Sequence, residues 1–410
     1  MSQRKPIIGM LLETPYPPDI RVEKEARALA SAGYRVHLLC VSDGKRPAHE
    51  TIDALEVHRT IAYSGTLIRQ LRLIETRWRF VAREWLKSLE AFIQNNRIDV
   101  LHVHDLPLVG TALTARECHP GIKVVSDLHE NFAAGAAASV AYEKGLRGWL
   151  LNKLYAYPRW HAFEHRALKE SDQVIAVVDE MKSRLIEQHK VGPEKITVIS
   201  NYEDPEFLNL ADEEIPKDRD LFTLSYIGGF SPARGLETAI RGMALLRNYP
   251  IRLQVVGKGT PVVEAAYRDL IAENGLHQTV ELLGWQPFKR VPALMRAADV
   301  GVVPHARNEQ TDNTIPHKLF QYMMIGLPLI VSTAKPLARI IKNHDTGEIF
   351  EAGSADSFAE SVLRLFNDKA RYAHCSQQGI KATLHGPLNW PSEGRRLAAL
   401  YDHYPWTQES

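Results

Sequence analysis

The sequence predicts an α/β protein built as two doubly wound halves, on three observations. Short apolar runs alternate with amphipathic helical stretches from end to end, the pattern of parallel strands covered by helices. The alternation breaks once, near the middle, at an acidic, Pro-containing stretch without period, and then restarts. The 410 residues exceed what one ordinary core organises, so two domains of roughly 200 residues each are expected.

Taken in order, PIIGMLLET reads as the first strand and DIRVEKEARALASAG as its helix, with Asp19 placed to cap the start and Gly33 to stop the end. YRVHLLCV and LEVHRTI follow as strands, then a long helix from about Leu67 to Asn95, then the strand DVLHVHD. The helix TALTARE leads to KVVSDLHE, and a long helical region leads to QVIAVVDE, a helix to about His189 and the strand ITVISNY. Residues 1–205 thus form an N-terminal domain, and 206–220 (EFLNLADEEIPKDRD) a linker. The C-terminal domain, 221–385, runs through FTLSYIGGF, LETAIRGMALL, IRLQVVGKG, AAYRDLIAENG, TVELLGW, VPALMRAA, DVGVVP, HKLFQYMMIG, PLIVS and GEIFEAG. A ligand is expected in a cleft at the carboxyl ends of the strands.

Composition narrows the function. The chain is 45% hydrophobic and 24% charged with a formal net charge of +1, which argues against a dedicated nucleic-acid binder. Three scattered cysteines offer neither a disulfide framework nor a metal pair, in keeping with a reducing cytoplasm. No apolar run reaches the length of a spanning helix. Two basic, aromatic stretches stand out. RQLRLIETRWRFVAREWLK carries Arg69, Arg72, Arg77, Arg79, Arg83 and Lys87; KGLRGWLLNKLYAYPRWHAFEHR carries Lys144, Arg147, Lys153, Arg159 and Arg166 among Trp149, Tyr155, Tyr157 and Trp160. Such helices suit an anionic bilayer surface, and a solvated helix face is the plain alternative.

Five motifs are candidates for chemistry. IGGFSPARGLET places a Gly turn and Arg234 just before a helix start, where amide N–H groups favour an anion. VVGKGT is a G-x-G after a strand, but Val262 stands where a dinucleotide fingerprint needs its third glycine, so no NAD site is expected. NTIPHKLFQYMMIGLPLIV gathers Asn313, His317, Lys318 and Gln321 at one helix mouth, with Pro316 in the first helical turn; amides plus Lys318 suit a diphosphate. DLHE puts His129 at the carboxyl end of a strand, placed to orient or deprotonate a hydroxyl. In HVHD, His102 and His104 share one strand face with no evident third ligand, so no metal is expected.

YPPDIRVEKEARALASAGYRVHLLC, DVLHVHDLPLVG, VVSDLHENF, SDQVIAVVDEMKSRL, ITVISNYED and HKLFQYMMIGLPLIVS, in this order over nearly the whole chain, resemble a retaining glycosyltransferase of family four. The resemblance implies the GT-B fold, two Rossmann-like domains facing a central cleft, with residues 386–410 as a helix crossing back to the first domain. It implies metal-independent sugar transfer from a nucleotide-diphosphate donor to a glycan or lipid-linked acceptor, without a cofactor; the two basic, aromatic stretches add the expectation of a cytoplasmic protein that associates reversibly with the cytoplasmic face of a membrane.

For the donor, the resemblance implies Gly229, Arg234, Gly257, Lys258, Trp285, Thr314, Ile315, His317, Lys318 and Gln321; for the acceptor, Asp19, Arg21, His104 and Glu130; for catalysis, His129 and Asn313. Two departures matter. The family's Glu, seven residues, Glu pattern falls on the amides Asn313 and Gln321, and its diphosphate-binding Arg falls on Gly229. Gln321 is expected to act as a neutral stand-in on the ribose, and Gln321→Glu to be tolerated. A nucleotide-sugar-binding but silent partner of another transferase, and a nucleotide-sugar 2-epimerase, stay open as alternatives.

Overall fold

The computed structural model describes residues 4–60, 74–141, 143–211, 213–403 and 406. The chain divides into two compact units, Met1–Ser200 with Glu393–Ser410, and Asn201–Ser392. In the first, strands β1 (Ile7–Pro15), β2 (Arg35–Val41), β3 (His49–Ile52), β4 (Leu55–Thr60), β5 (Val100–His104), β6 (Lys123–Leu128), β7 (Gln173–Ala176) and β8 (Ile196–Val198) pair in the order β3-β4-β2-β1-β5-β6-β7-β8. Only the β3–β4 pair is antiparallel among the described residues. Ile7 to Leu12 of β1 are all buried, as befits a strand covered on both faces, which reads as a continuous apolar run and not as an alternation. The Asp19 side chain accepts from the N–H groups of Arg21 and Val22, both at 3.1 Å, and so caps the helix Ile20–Ser31.

The long helix expected from Leu67 to Asn95 is corrected. Its start lies outside the described residues, and the helical run from Ile74 stops at Phe80 before the helix Arg83–Asn96 begins. Phe80 has φ 60° and stacks on Phe163 at 4.1 Å between centroids, with Trp160 edge-on at 4.9 Å. Burying this aromatic cluster outweighs the local preference for one straight helix.

In the second unit, β9 (Phe222–Ile227), β10 (Ile251–Val256), β11 (Val280–Gly284), β12 (Val300–Val303), β13 (Leu329–Ser332) and β14 (Gly347–Phe350) pair in parallel in the order β11-β10-β9-β12-β13-β14. Strand order reverses between β1 and β5 in the first unit and between β9 and β12 in the second. Beside those two points, loops leaving adjacent strands diverge to opposite faces, and side chains at the carboxyl ends gain room for a ligand. The helix His317–Ile325 begins after Pro316, which is extended (φ −83°, ψ 145°) and precedes the first turn instead of opening it. Gly326, at φ 86°, ends that helix in the left-handed conformation.

Candidate functional site

In the second unit, β9 runs into Gly228 and Gly229 and β10 into Gly257. A Cβ at Gly257 would stand 1.9 Å from the carbonyl oxygen of Gly228, so this close approach of two turns requires glycine. Lys318, only 8% exposed, reaches the same turns: its Nζ lies 3.7 Å from the Tyr226 ring centroid and 3.2 Å from the place of a Cβ on Gly228. Half-buried Arg234, in the short 3₁₀ turn Pro232–Arg234, directs Nη1 to Nε2 of buried His305 at 3.3 Å. Among the described residues neither cation has a carboxylate partner.

Burial, reinforced by Arg234, pushes the Lys318 ammonium well below its ordinary pKa. Burial, reinforced by Arg234 and Lys318, likewise holds His305 well below the usual imidazole value, so it is neutral and accepts from Arg234. Two cations gathered where water is scarce are unfavourable alone and become favourable with an anion between them. His305 follows DVGVVP at the carboxyl end of a strand, the same position that singled out His129, and sequence reading passed over it.

The remaining expected residues of this unit scatter in role. Asn313 is buried, and its Nδ2 donates to the Glu309 carbonyl at 2.7 Å. Thr314 and Ile315 link the turn Thr311–Asn313 to the helix, and the Ile315 carbonyl accepts from Asn201 Nδ2 at 2.9 Å. His317 is half-buried as the first helical residue. Lys258 and Trp285 are exposed, with Nζ 5.9 Å from the indole centroid.

Gln321 brings a correction. It is buried, and its Nε2 donates to Oε2 of buried Glu203 at 2.6 Å. A carboxylate therefore does stand beside position 321, supplied from elsewhere in the chain. Gln321→Glu would set two buried carboxylates in contact. We expect it to destabilise the unit by about 1–3 kcal/mol, a fall of several degrees in Tm. Because the two carboxylates repel only while both are ionised, this loss should be full at neutral pH and smaller as pH falls and one carboxyl protonates. Unchanged melting at pH 7.5 would show that Glu203 is not a charged partner.

In the first unit the candidates meet at the carboxyl ends of β5 and β6. Asp127, fully buried, offers Oδ2 to His129 Nε2 at 3.0 Å, to His104 Nδ1 at 3.2 Å and to His102 Nε2 at 3.5 Å. Arg21 binds the same carboxylate twice, Nη2 to Oδ1 at 2.8 Å and Nε to Oδ2 at 3.1 Å, and reaches Glu25 at 2.9 Å. Arg21 and Glu25 are four apart on one helix, so they share a face. Glu25 in turn lies 3.2 Å from His102 Nε2, and His102 Nδ1 meets the Tyr401 hydroxyl at 2.8 Å.

Glu25, His102, His104 and Asp127 bring their ligand atoms within 4.8 Å of one another, a donor set that would suit a metal. The expectation that the strand histidines find no third ligand is thereby corrected. Arg21, however, already fills the cation's place between both carboxylates. Burial opposes a charged His102, but Asp127 and Glu25 prevail and lift its pKa to about 9, supplying a second positive charge. Two carboxylates against two cations close the balance without an ion, so the cluster is a salt network.

The expected acceptor-side residues divide accordingly. Arg21 and His104 are buried in the network, Asp19 caps its helix, and Glu130 is half-buried beside His129. His129 itself is 20% exposed.

The model "Glycosyltransferase Family 4" matches residues 20–207, and "Glycosyl transferases group 1" matches residues 209–382. An uncharacterised glycosyltransferase of Methanocaldococcus jannaschii is 26% identical over 390 residues, 92% of this chain and 91% of that protein. The UDP-Gal:alpha-D-GlcNAc-diphosphoundecaprenol alpha-1,3-galactosyltransferase of Escherichia coli is 24% identical over 362 residues, covering 84% of each. Among solved structures, sucrose-phosphate synthase from Thermosynechococcus elongatus superposes with TM-score 0.76 at 18% identity, over 97% of this chain and 98% of that one. Anabaena HepE in complex with UDP-glucose gives TM-score 0.69 at 14% identity, over 97% of this chain and the whole of that one.

Proposed function

The chain is a glycosyltransferase of the family-four type with a GT-B fold, and from that premise we propose that it is a retaining, metal-independent enzyme using a nucleotide-diphosphate sugar. The carrying observation is the pair Lys318 and Arg234, cations without carboxylate partners among the described residues, at the switch point of the second unit. Together with the glycine turns they would take the diphosphate and neutralise its charge as it departs, the work a divalent ion does elsewhere. The first unit would then receive the acceptor at the exposed side of His129 and Glu130. The relatives' named substrates support a UDP-sugar donor and a lipid-diphosphate-linked acceptor, hence a place in polysaccharide or glycolipid assembly.

Nucleotide sugars assayed first for thermal stabilisation, which grows as RT ln(1 + [L]/Kd), and then for transfer test this reading. The expected product keeps the donor's anomeric configuration and forms undiminished in EDTA. Inversion, or loss in EDTA restored by Mg²⁺ or Mn²⁺, would overturn retention or metal independence. The amides at Asn313 and Gln321 favour a second reading, a silent nucleotide-sugar binder; binding with neither transfer nor donor hydrolysis would establish it.

We further propose reversible attachment to an anionic membrane face. No helix among the described residues is long and apolar enough to cross a membrane. Trp78, Leu146, Trp149 and Leu150 are exposed, as are Arg79, Arg83, Lys87, Lys144, Arg147, Lys153 and Arg166. Two expected members of this surface are withdrawn: Arg77 is buried in a bidentate pair with Glu13 (2.7 and 2.6 Å), and Trp160 is fully buried. Arg69 and Arg72 lie outside the described residues. Each remaining cation near the surface adds about 1 kcal/mol, screened by salt. Co-flotation with anionic but not neutral vesicles at low salt is expected; its absence would sink the membrane claim.

A further inference from the structure

We propose that Asp127 is a positioning residue that holds His129 as a fixed imidazolium, so that His129 meets the substrate as a charge and not as a proton acceptor. The geometry carries this. Both ring nitrogens of His129 face carboxylates, Nε2 toward Asp127 at 3.0 Å and Nδ1 toward Asp105 at 3.3 Å. A neutral imidazole offers one N–H, which would leave a nitrogen lone pair against a carboxylate oxygen; the doubly protonated ring satisfies both. Asp105 also accepts from the backbone N–H of His129 at 3.3 Å, which fixes the ring's position relative to β5 as well as β6.

The groups facing His129 agree with this assignment. Asp105 follows β5, Asp127 lies on β6, and His104 Nδ1 stands 3.2 Å from His129 Nε2. Burial outweighs its hydrogen bond to Asp127 and holds His104 below its ordinary pKa, so the neighbouring ring is neutral and does not repel. Behind Asp127 lie Arg21 and Glu25 from the first helix, His102 from β5 and Tyr401 from the C-terminal helix. Counting Glu25, Asp105 and Asp127 against Arg21, His102 and His129 gives three charges of each sign. With Arg21 and His102 already matched to Glu25 and Asp127, a neutral His129 would leave the partly exposed Asp105 without its cation. Burial works against a charged His129, yet Asp105 and Asp127 outweigh it and raise its pKa well above the ordinary value.

This inference rests on the proposed transfer reaction only for its purpose: a fixed charge at the carboxyl edge of β6 stabilises negative charge without reorganising. Its test is independent of turnover. In protein carrying ¹³C-labelled histidine, with the His129 signal identified by its loss in His129→Gln, the ring is expected to stay charged between about pH 5.5 and 8.5. In Asp127→Asn the same signal should titrate within that range, toward the ordinary midpoint of about 6.5. Asp105→Asn, on the half-exposed side of the ring, should shift the midpoint in the same direction and serves if Asp127→Asn does not fold. A parent His129 signal titrating near 6.5, or one that stays charged in a folded variant lacking either carboxylate, overturns the proposal. Failure to bind any nucleotide sugar would instead remove the functional reading and leave the charge state standing.

Discussion

Lys318→Met is expected to leave the ligand-free protein as stable as the parent or more so, while nucleotide-diphosphate binding weakens by about ten- to a hundredfold. A charge-assisted hydrogen bond contributes roughly 1.5–3 kcal/mol, and 1.4 kcal/mol is a factor of ten. The two effects point in opposite directions because the ammonium is buried against Tyr226 with Arg234 nearby, an unfavourable place for a cation until an anion arrives. A methionine of similar reach keeps the packing and removes the charge.

The pH dependence follows with the same sign. The folded ligand-free protein holds Lys318 below its unfolded pKa, so it binds fewer protons there than the unfolded chain, and the stability lost to this group returns as pH rises through that interval. A bound diphosphate restores the proton. Affinity should therefore fall as pH rises above the lowered value, and binding there should take up a proton, read by calorimetry in buffers of different ionisation enthalpy. Melting curves and calorimetric titrations of parent and variant decide the matter. A large loss of stability with binding intact would make Lys318 a structural lysine and remove the anion site.

The fold was legible because parallel strands buried on both faces leave apolar runs too short for a helix and bounded by turn signals, as in PIIGMLLET and DVGVVP. The turns and helix starts themselves were local signals, in IGGFSPARG and in PHKLF, so Gly229, Arg234 and Lys318 could be picked out as candidates. What stayed hidden depends on contacts between distant segments. Glu203 stands 118 positions before Gln321, and Phe80 breaks its helix for the rings of Trp160 and Phe163, far along the chain. Asp127 was read as part of DLHE, yet no sequence period reveals that one carboxylate serves three imidazoles and a guanidinium. Arg21 looked like a residue for a substrate because its place in a buried network is a property of the sheet and not of its helix.

That network makes Arg21→Met the substitution expected to cost the most stability. The guanidinium is 5% exposed and is held by Asp127, Glu25 and, through Nη1, the Ile199 carbonyl at 3.2 Å. Removing it leaves Glu25 and Asp127 fully buried with one of their cations gone. Breaking a buried pair in this way costs about 3–5 kcal/mol, a fall in Tm of roughly 6–20 °C for a unit of this size. In the parent, burial opposes ionisation of Asp127 but Arg21 and His129 hold its pKa well below the ordinary value, so its stabilising contribution is present above that value and is lost only in acid. In the variant the penalty of the uncompensated carboxylates should shrink as pH falls and they protonate. Parent and variant should therefore differ most near pH 8 and converge toward pH 4 in urea unfolding. Arg21→Met with Asp127→Asn should recover part of the loss, because the second change removes a stranded charge; the two effects are expected to be strongly non-additive. A loss below about 1 kcal/mol, or one that does not change with pH, would mean that Arg21 contributes packing alone and that the charge balance around His129 is set by other groups.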